Sequence, residues 1–473
     1  MKEFKVETGI SGLDELIEGF PRGGLIIVAG RPGTGKTVFG ATFLYNGAVK
    51  YGERGVHASF AEDKESFYDN MAGFGMDFRK LEEKGLFRYV ELPTVFEASS
   101  TLMKEILEVV QELNAKRLVI DSFTAISQFF KDPNEVRVLL HTILSKMVKQ
   151  LRCTTILIEE IPHGVERIGH GYEEFVADGV IFLDALRFED KNLRELRIAK
   201  MRGSELRFLD ACFTLHGGFR VFGQFRIKKI EKPRRFEPLP DPPGMYSTGM
   251  PALDDEIGGL PKGSTILLEI DRKLKAPDYQ VILAPIIANY VSHNRPLIII
   301  PSSGTDWRDL INLSKLYGFR EDCWKKVSRI LEREEMKIES APPFVVSYAY
   351  EDLYSWFEKM FGIEEELMRS LGAPPLRVIG ADTVAQLFGQ ESLTQANLDV
   401  HRTKVLGALT IWISKPIRPR LSEMLAPMAH IHLKLTRRHG CLLFYGIKPR
   451  TPLYAVEMDV SRGYPLPRLT PIV

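Results

Sequence analysis

The run Gly30-Arg31-Pro32-Gly33-Thr34-Gly35-Lys36-Thr37 is a complete GxxxxGK[ST] pattern, and its chemistry is anion binding. Glycines lack a Cβ, so consecutive backbone N–H groups can converge on phosphate oxygens. A helix starting at the end of the run adds the positive end of its dipole. Lys36 then reaches the β- and γ-phosphates, and the Thr37 hydroxyl ligates Mg²⁺. Gly30, Gly33, Thr34, Gly35, Lys36, Thr37 and Val38 are therefore the expected nucleotide-binding residues. A second element of such a site is Arg117-Leu118-Val119-Ile120-Asp121, a hydrophobic strand ending in an acid. Asp121 is placed beside the phosphate loop and joins Thr37 as a candidate Mg²⁺ group.

These residues need a scaffold that holds a loop between a strand and a helix. Leu25–Ala29, Leu118–Ile120, Thr155–Ile158 and Gly179–Leu183 are short, nearly unbroken apolar runs, the pattern of strands buried on both faces. Val38–Lys50, Lys64–Gly73, Ala98–Leu113 and Asn134–Leu151 have helical spacing. Strands alternating with helices imply an α/β domain with a mainly parallel sheet.

The stretch ETGISGLDELIEGFPRGGLIIVAG from Glu7 returns as STGMPALDDEIGGLPKGSTILLEI from Ser247, 247 − 7 = 240 residues later. A period of that length is a duplicated domain and not a solenoid repeat. Between the copies lies KKIEKPRRFEPLPDPPG, whose prolines forbid helix and favour an extended connector. The expected organisation is a first domain over 1–227, a linker over 228–244 and a second domain over 245–473. In the second copy Thr265–Ile270, Pro296–Pro301, Arg377–Asp382 and Ala408–Ser414 read as the matching strands, and the charged helix around Glu351–Leu371 reads as an enlargement.

The chain has 473 residues, 63 Lys and Arg against 62 Asp and Glu, and a net charge of +1, so no bulk field draws it to nucleic acid or anionic membrane. Cys153, Cys212, Cys323 and Cys441 are widely spaced, against a disulfide framework or zinc knuckle. No apolar run approaches a membrane span or a signal segment, and the reading is a cytoplasmic protein.

TGISGLDELIEGFPRGGLIIVAGRPGTGKT, GYEEFVADGVIFL from Gly171 and Lys200-Met201-Arg202-Gly203 together resemble the RecA-superfamily ATPases grouped around KaiC and GvpD. The resemblance implies two tandem RecA-like P-loop NTPase domains, ATP at subunit interfaces, frequent hexameric rings and regulatory roles. It implies that Lys200 and Arg202 reach a neighbouring subunit's γ-phosphate, as that family's KxRG pair does. It also implies a pair of glutamates after the second strand, the first of which prepares the attacking water. Here Ala61 stands at the first position and only Glu62 remains, so Glu62 is the candidate catalytic acid and turnover is expected to be slow. Glu159 and Glu160 stand where RecA-like folds put a γ-phosphate-sensing group. A solvated loop start describes them equally well. The loop Pro162–Gly171 matches the channel loop that contacts DNA in recombinases, but its formal charge is zero with neutral histidines and it lacks aromatic stacking platforms.

In the second copy the positions matching Gly30 to Thr37 read Ile270-Asp271-Arg272-Lys273-Leu274-Lys275-Ala276-Pro277, with neither the glycines nor the GK[ST] end. That domain is read as degenerate, without nucleotide and so without the autokinase activity that needs one. Asp382 is read as the relic of the Mg²⁺ acid, and Lys448-Pro449-Arg450 as the counterpart of Lys200 and Arg202. The expected function is an ATP-binding, slowly hydrolysing KaiC-like regulatory protein, assembled with copies of itself and with a protein partner. The alternatives are a DNA-handling recombination ATPase and a non-hydrolysing nucleotide-gated scaffold.

Overall fold

In the computed structural model, residues 4–60, 62–92, 99–127, 138, 150–161, 173–333, 341–348, 352–389, 391–416 and 420–473 are described. The helix expected at Asn134–Leu151, the loop Pro162–Gly171 and Ala61 fall wholly or mostly outside them. The chain divides into two compact units. Unit 1 comprises Met1–Gln224, His439–Cys441 and Pro471–Val473; unit 2 comprises Phe225–Arg438 and Leu442–Thr470.

Unit 1 is built on strands β1 (Leu25–Gly30), β2 (Gly55–Ser59), β3 (Phe87–Glu91), β4 (Arg117–Asp121), β5 (Thr154–Glu160), β6 (Gly179–Phe188), β7 (Lys191–Met201), β8 (Asp210–Thr214) and β9 (Arg220–Phe222). Their order is β9-β8-β7-β6-β1-β5-β4-β2-β3. The strands from β6 to β3 in this order are parallel, whereas β7, β8 and β9 extend the sheet antiparallel. Every residue of β1 is buried, as its unbroken apolar run requires for a central strand with both faces covered. Helix α1 (Lys36–Tyr51) follows the phosphate-loop run, α2 (Lys64–Ala72) follows β2, and α3 (Ser99–Leu113) precedes β4. Ile26, Val28, Val119, Ile156 and Ile158 form one core with Val38 and Phe39 of α1; Leu25, Ile27, Leu118, Ile120 and Leu157 form a separate core with Ile106 and Val110 of α3. Alternate residues of each strand therefore face different helices.

Unit 2 repeats the plan with β10 (Ser264–Ile270), β11 (Leu297–Ile300), β12 (Ser328–Arg333), β13 (Val345–Tyr348), β14 (Leu376–Gly380), β15 (Leu409–Ser414), β16 (Ile431–Arg438), β17 (Cys441–Lys448), β18 (Tyr454–Asp459) and β19 (Leu466–Pro471). The order is β13-β12-β11-β14-β15-β10-β16-β17-β18-β19. Helix α4 (Ala276–Ser292) stands in the place of α1, and α5 (Leu353–Leu371), α6 (Ala381–Phe388) and α7 (Glu391–Leu406) complete the elements used below. Both units thus have the expected α/β architecture with mainly parallel sheets.

The repeated Thr-Gly-x-x-x-Leu-Asp signature is a structural staple. Asp14 accepts from Thr8 N at 2.8 Å and Gly9 N at 3.0 Å, and Asn46 of α1 donates to Gly9 O at 2.9 Å. In unit 2 Asp254 accepts from Thr248 N at 2.8 Å and from the Ser247 hydroxyl, and Asn289 of α4 donates to Ser247 O at 3.3 Å. Gly9 and Gly249 both have positive φ, and a Cβ on either would meet the Cβ of Asn46 or Asn289 below 3.0 Å.

Candidate functional site

The phosphate-loop run leaves β1 at Gly30 and enters α1 at Lys36. Gly33 and Gly35 have φ of 77° and 95°, a backbone region that residues with a Cβ rarely adopt. A Cβ on Gly30 would stand 2.4 Å from Leu183 O, and one on Gly35 would press on Leu215 at 2.9 Å, whereas Gly33 faces open space. The loop is therefore packed on its sheet side and open on the other, as a phosphate cradle requires. Thr34 and Lys36 close the turn by donating to Arg31 O, at 2.8 Å from the hydroxyl and 2.9 Å from Nζ. Arg194 of β7 donates to Gly33 O at 3.2 Å and braces the loop from the antiparallel extension; nothing in its sequence context marks it.

Thr37 Oγ1 donates to Asp121 Oδ2 at 2.7 Å, joining the two candidate metal groups across α1 and β4. Burial pushes the Asp121 carboxyl above the ordinary carboxylate range, opposed by the Thr37 hydroxyl and by the charge of Lys36. Burial lowers Lys36, opposed by the charges of Glu160 and then Asp121. A hydroxyl and a carboxylate, both hard oxygen donors, fit Mg²⁺, which would take its remaining ligands from phosphates and water. Among the described residues no cluster of three or more His, Cys, Asp or Glu could hold a metal alone. Val38 lies in the first turn of α1 with its side chain in the core, so any contact to a nucleotide would use its backbone.

The other named residues separate. Glu62 follows β2; its carboxylate accepts from Asn70 Nδ2 at 2.5 Å and its carbonyl from Tyr89 Oη at 2.6 Å. Lys200 on β7 donates to the carbonyls of Glu174 and Phe175, at 2.9 and 3.5 Å, at the end of the short helix Glu173–Val176. Partial burial, and next the charge of Arg202, lower its pKa. Arg202 pairs with Asp178 at 3.0 Å, and Asp178 also accepts from Leu25 N at 3.1 Å. Neither cation is bonded to the phosphate loop. Glu159 and Glu160, adjacent in sequence, diverge: Glu159 is buried and accepts from Thr124 Oγ1 at 2.8 Å, whereas Glu160 is exposed opposite Gly30 in the β1–β5 register.

In unit 2 the corresponding loop is basic and closed on itself. Asp278 in the first turn of α4 accepts from Lys275 N at 2.8 Å and pairs with Arg437 at 2.7 Å. Asp382 does not occupy the metal position. In unit 1 Leu118 pairs with Thr155, and in unit 2 Arg377 pairs with Thr410, so the register position of Asp121 falls to Gly380. Asp382 lies two residues further, in α6, buried and accepting from the Ser302 hydroxyl at 2.9 Å and Ser303 N at 3.0 Å. The expected strand Arg377–Asp382 overruns the observed one, because Gly380 ends the strand and Ala381 begins the helix. Lys448 repeats the setting of Lys200, donating to Ala429 O at 2.9 Å.

A glycine cradle after the central strand of a mainly parallel sheet, with Lys36 and a Thr37–Asp121 pair at its mouth, defines a RecA-type P-loop ATPase fold. A family model described as "ATPase: KaiC" matches residues 6–217. A UPF0273 protein of Pyrococcus furiosus is 34% identical over 216 residues, 42% of this chain and 86% of that protein. The circadian clock oscillator protein KaiC of Parathermosynechococcus lividus is 31% identical over 266 residues, 54% of this chain but only 48% of its own length. A solved KaiC-like protein from Pyrococcus horikoshii OT3 is 37% identical, with 46% of this chain and 98% of that chain covered at a TM-score of 0.42. The chain belongs to the KaiC-like ATPases of the RecA superfamily.

Proposed function

We propose that this protein binds Mg²⁺·ATP at one live site, in unit 1, hydrolyses it slowly, and uses the bound state as a regulatory signal. The observation that carries the reading is the Thr37–Asp121 hydrogen bond of 2.7 Å beside the open glycine cradle. Backbone N–H groups of Gly33 to Thr37 hold the phosphates, Lys36 neutralises their charge, and Thr37 and Asp121 hold the cation, which supplies charge stabilisation when bound. Unit 2 has no such cradle, and its acid Asp278 is already engaged with Arg437. It is a pseudo-ATPase used for assembly or partner recognition.

The family supports self-assembly, with a hexameric ring as the specific proposal. In that ring Lys200 and Arg202 release Glu174 and Asp178 and turn to a neighbour's γ-phosphate, stabilising the charge of the transferring group. No helix among the described residues is long and apolar enough to cross a membrane, and a cytoplasmic location remains part of the proposal. The neutral composition supports a regulatory ATPase over a DNA-handling one.

The test follows phosphate release and solution mass with and without Mg²⁺·ATP, using Lys36→Ala as control. Slow release and an ATP-dependent ring, both lost in the variant, support the reading. Binding without release leaves a nucleotide-gated scaffold, release stimulated by DNA favours the recombination reading, and no binding overturns all three.

A further inference from the structure

Three carboxylates, Asp121, Glu160 and Glu62, are candidates around the Lys36–Asp121 pair, and they are not equivalent. Asp121 is committed to Thr37 and the cation. Glu62, at the family's glutamate pair, is tied to Asn70, and among the charges acting on Asp121 it ranks behind Glu160. Glu160 has a different setting. Along β5, Ile156 and Ile158 pack in the core that contains Val38 and Phe39 of α1, while Leu157 packs in the other core. The alternation of a strand then puts Glu160 on the α1 face and Glu159 on the opposite one, in agreement with the Glu159–Thr124 hydrogen bond.

The backbone at Glu160 is fixed from both sides. Its N–H donates to Thr124 Oγ1 at 2.7 Å, the next N–H, of Ile161, donates to Gly30 O at 3.1 Å, and Glu160 itself pairs with Gly30, the first residue of the cradle. Among the described residues none donates a hydrogen bond to its carboxylate, which is exposed beside the cradle mouth. It is also the leading opposite charge on Lys36. The result is an acid on a strand end, at the phosphate loop, with its oxygens uncommitted among the described residues.

The duplicated unit supplies an independent observation. The register Leu25–Thr155 in unit 1 matches Thr265–Thr410 in unit 2, so the residue equivalent to Glu160 is Lys415. Where the phosphate-loop lysine is replaced by Ala276, the acid opposite it is replaced by a base. Lys415 donates to Ser303 O at 2.6 Å and lies over the Tyr279 ring. A carboxylate whose sole role was to cap the end of β5 could be kept without the lysine; here the two charges change together.

We propose that Glu160, and not Glu62, is the acid that orients the attacking water in unit 1 and takes its proton, compensating for Ala61. The inference rests on the ATPase reading above. In the step, the water oxygen bonds to the γ-phosphorus and the bond from that phosphorus to the β,γ-bridging oxygen breaks. ADP leaves with the electron pair, and one water proton passes to the Glu160 carboxylate before release to solvent.

The test measures ATP affinity and phosphate release for wild type, Glu160→Gln, Glu160→Asp and Glu62→Gln, with kcat followed against pH. The expected result is a fall in kcat of ~10² to 10⁴ in Glu160→Gln, with ATP Kd changed less than ~3-fold. Glu160→Asp, which keeps the charge on a shorter arm, retains an intermediate rate and the acidic limb of the pH profile; Glu160→Gln loses that limb. Glu62→Gln falls by less than ~10-fold. Wild-type kcat in Glu160→Gln, or the larger loss in Glu62→Gln, overturns the proposal while leaving the ATPase reading intact. Absence of phosphate release from wild type that binds ATP overturns the hydrolytic reading and the role of Glu160 together.

Discussion

Units 1 and 2 carry the same sheet plan and the same Thr-Gly staple, yet only unit 1 has the glycine run with Lys36, Thr37 and Asp121 beside it. Asp14 and Asp254 each accept from the N–H of the repeat's threonine, and Lys200 and Lys448 are each anchored on carbonyls. One set of differences lies at the C-terminal edge of the parallel strands. There Lys36, Asp121 and Glu160 of unit 1 face Ala276, Gly380 and Lys415 of unit 2. Asp178, which holds Arg202, is replaced by His430, whose ring accepts from Thr265 N at 3.2 Å as Asp178 accepts from Leu25 N. Burial, then Lys448 and Lys404, lower the His430 pKa, so a neutral group stands where unit 1 has a carboxylate. The comparison separates residues that build this fold from residues that use it.

The largest effect expected from breaking the comparison lies in the buried arginines. Arg377 is fully buried and pairs with both Glu364 and Asp399, whereas Arg117 pairs with the partly exposed Glu53 and three main-chain carbonyls. Arg377→Met leaves the buried Asp399 without a cationic partner and Glu364 with Arg402 alone, and should cost about 3–5 kcal/mol in denaturant unfolding. Arg117→Met should cost less, and equal losses would show that the two networks are equivalent.

The staple comes next. Asp14→Ala and Asp254→Ala each remove a charged acceptor from two donors, and each should cost about 2 kcal/mol. A loss of nucleotide affinity in Asp14→Ala without a loss of stability would give the repeat a role in the site instead.

His57 provides a smaller, pH-dependent contrast. Its ring is fully buried between Phe67 and Tyr89, and burial drives its pKa from 6.5 to about 3. In the folded state it is neutral between those values while the unfolded chain binds a proton, so stability falls as pH falls from 6.5 toward 3. Each pH unit in that window costs about 1.4 kcal/mol. The register counterpart in unit 2 is Ile299, which does not titrate. His57→Phe should therefore flatten the acid dependence of unit 1, as seen in melting temperatures at pH 6.5 and 5.5; an unchanged slope would place the acid sensitivity elsewhere.

The phosphate loop, Asp121, the duplication and the parallel sheets were legible because each follows from local chemistry: glycines for close approach, an acid after an apolar strand, buried runs for central strands. The long β6–β7 hairpin was only half legible, since beyond Leu183 its residues alternate and become exposed. Asp382 misled because a strand end and the first turn of a helix share the same apolar-then-acid pattern, and only the pairing with Thr410 fixes the register. Glu159 and Glu160 could not be separated without the strand's facing, which pairing with β1 supplies. Arg194 is invisible in the sequence because its role depends on β7 lying beside the cradle.

The asymmetry of the two units is tested most directly by calorimetric titration of the full chain with Mg²⁺·ATP. One nucleotide per chain, abolished by Lys36→Ala and kept in Lys415→Ala, is the expected result. Two nucleotides per chain, or binding that survives Lys36→Ala, would contradict the assignment of the live site to unit 1.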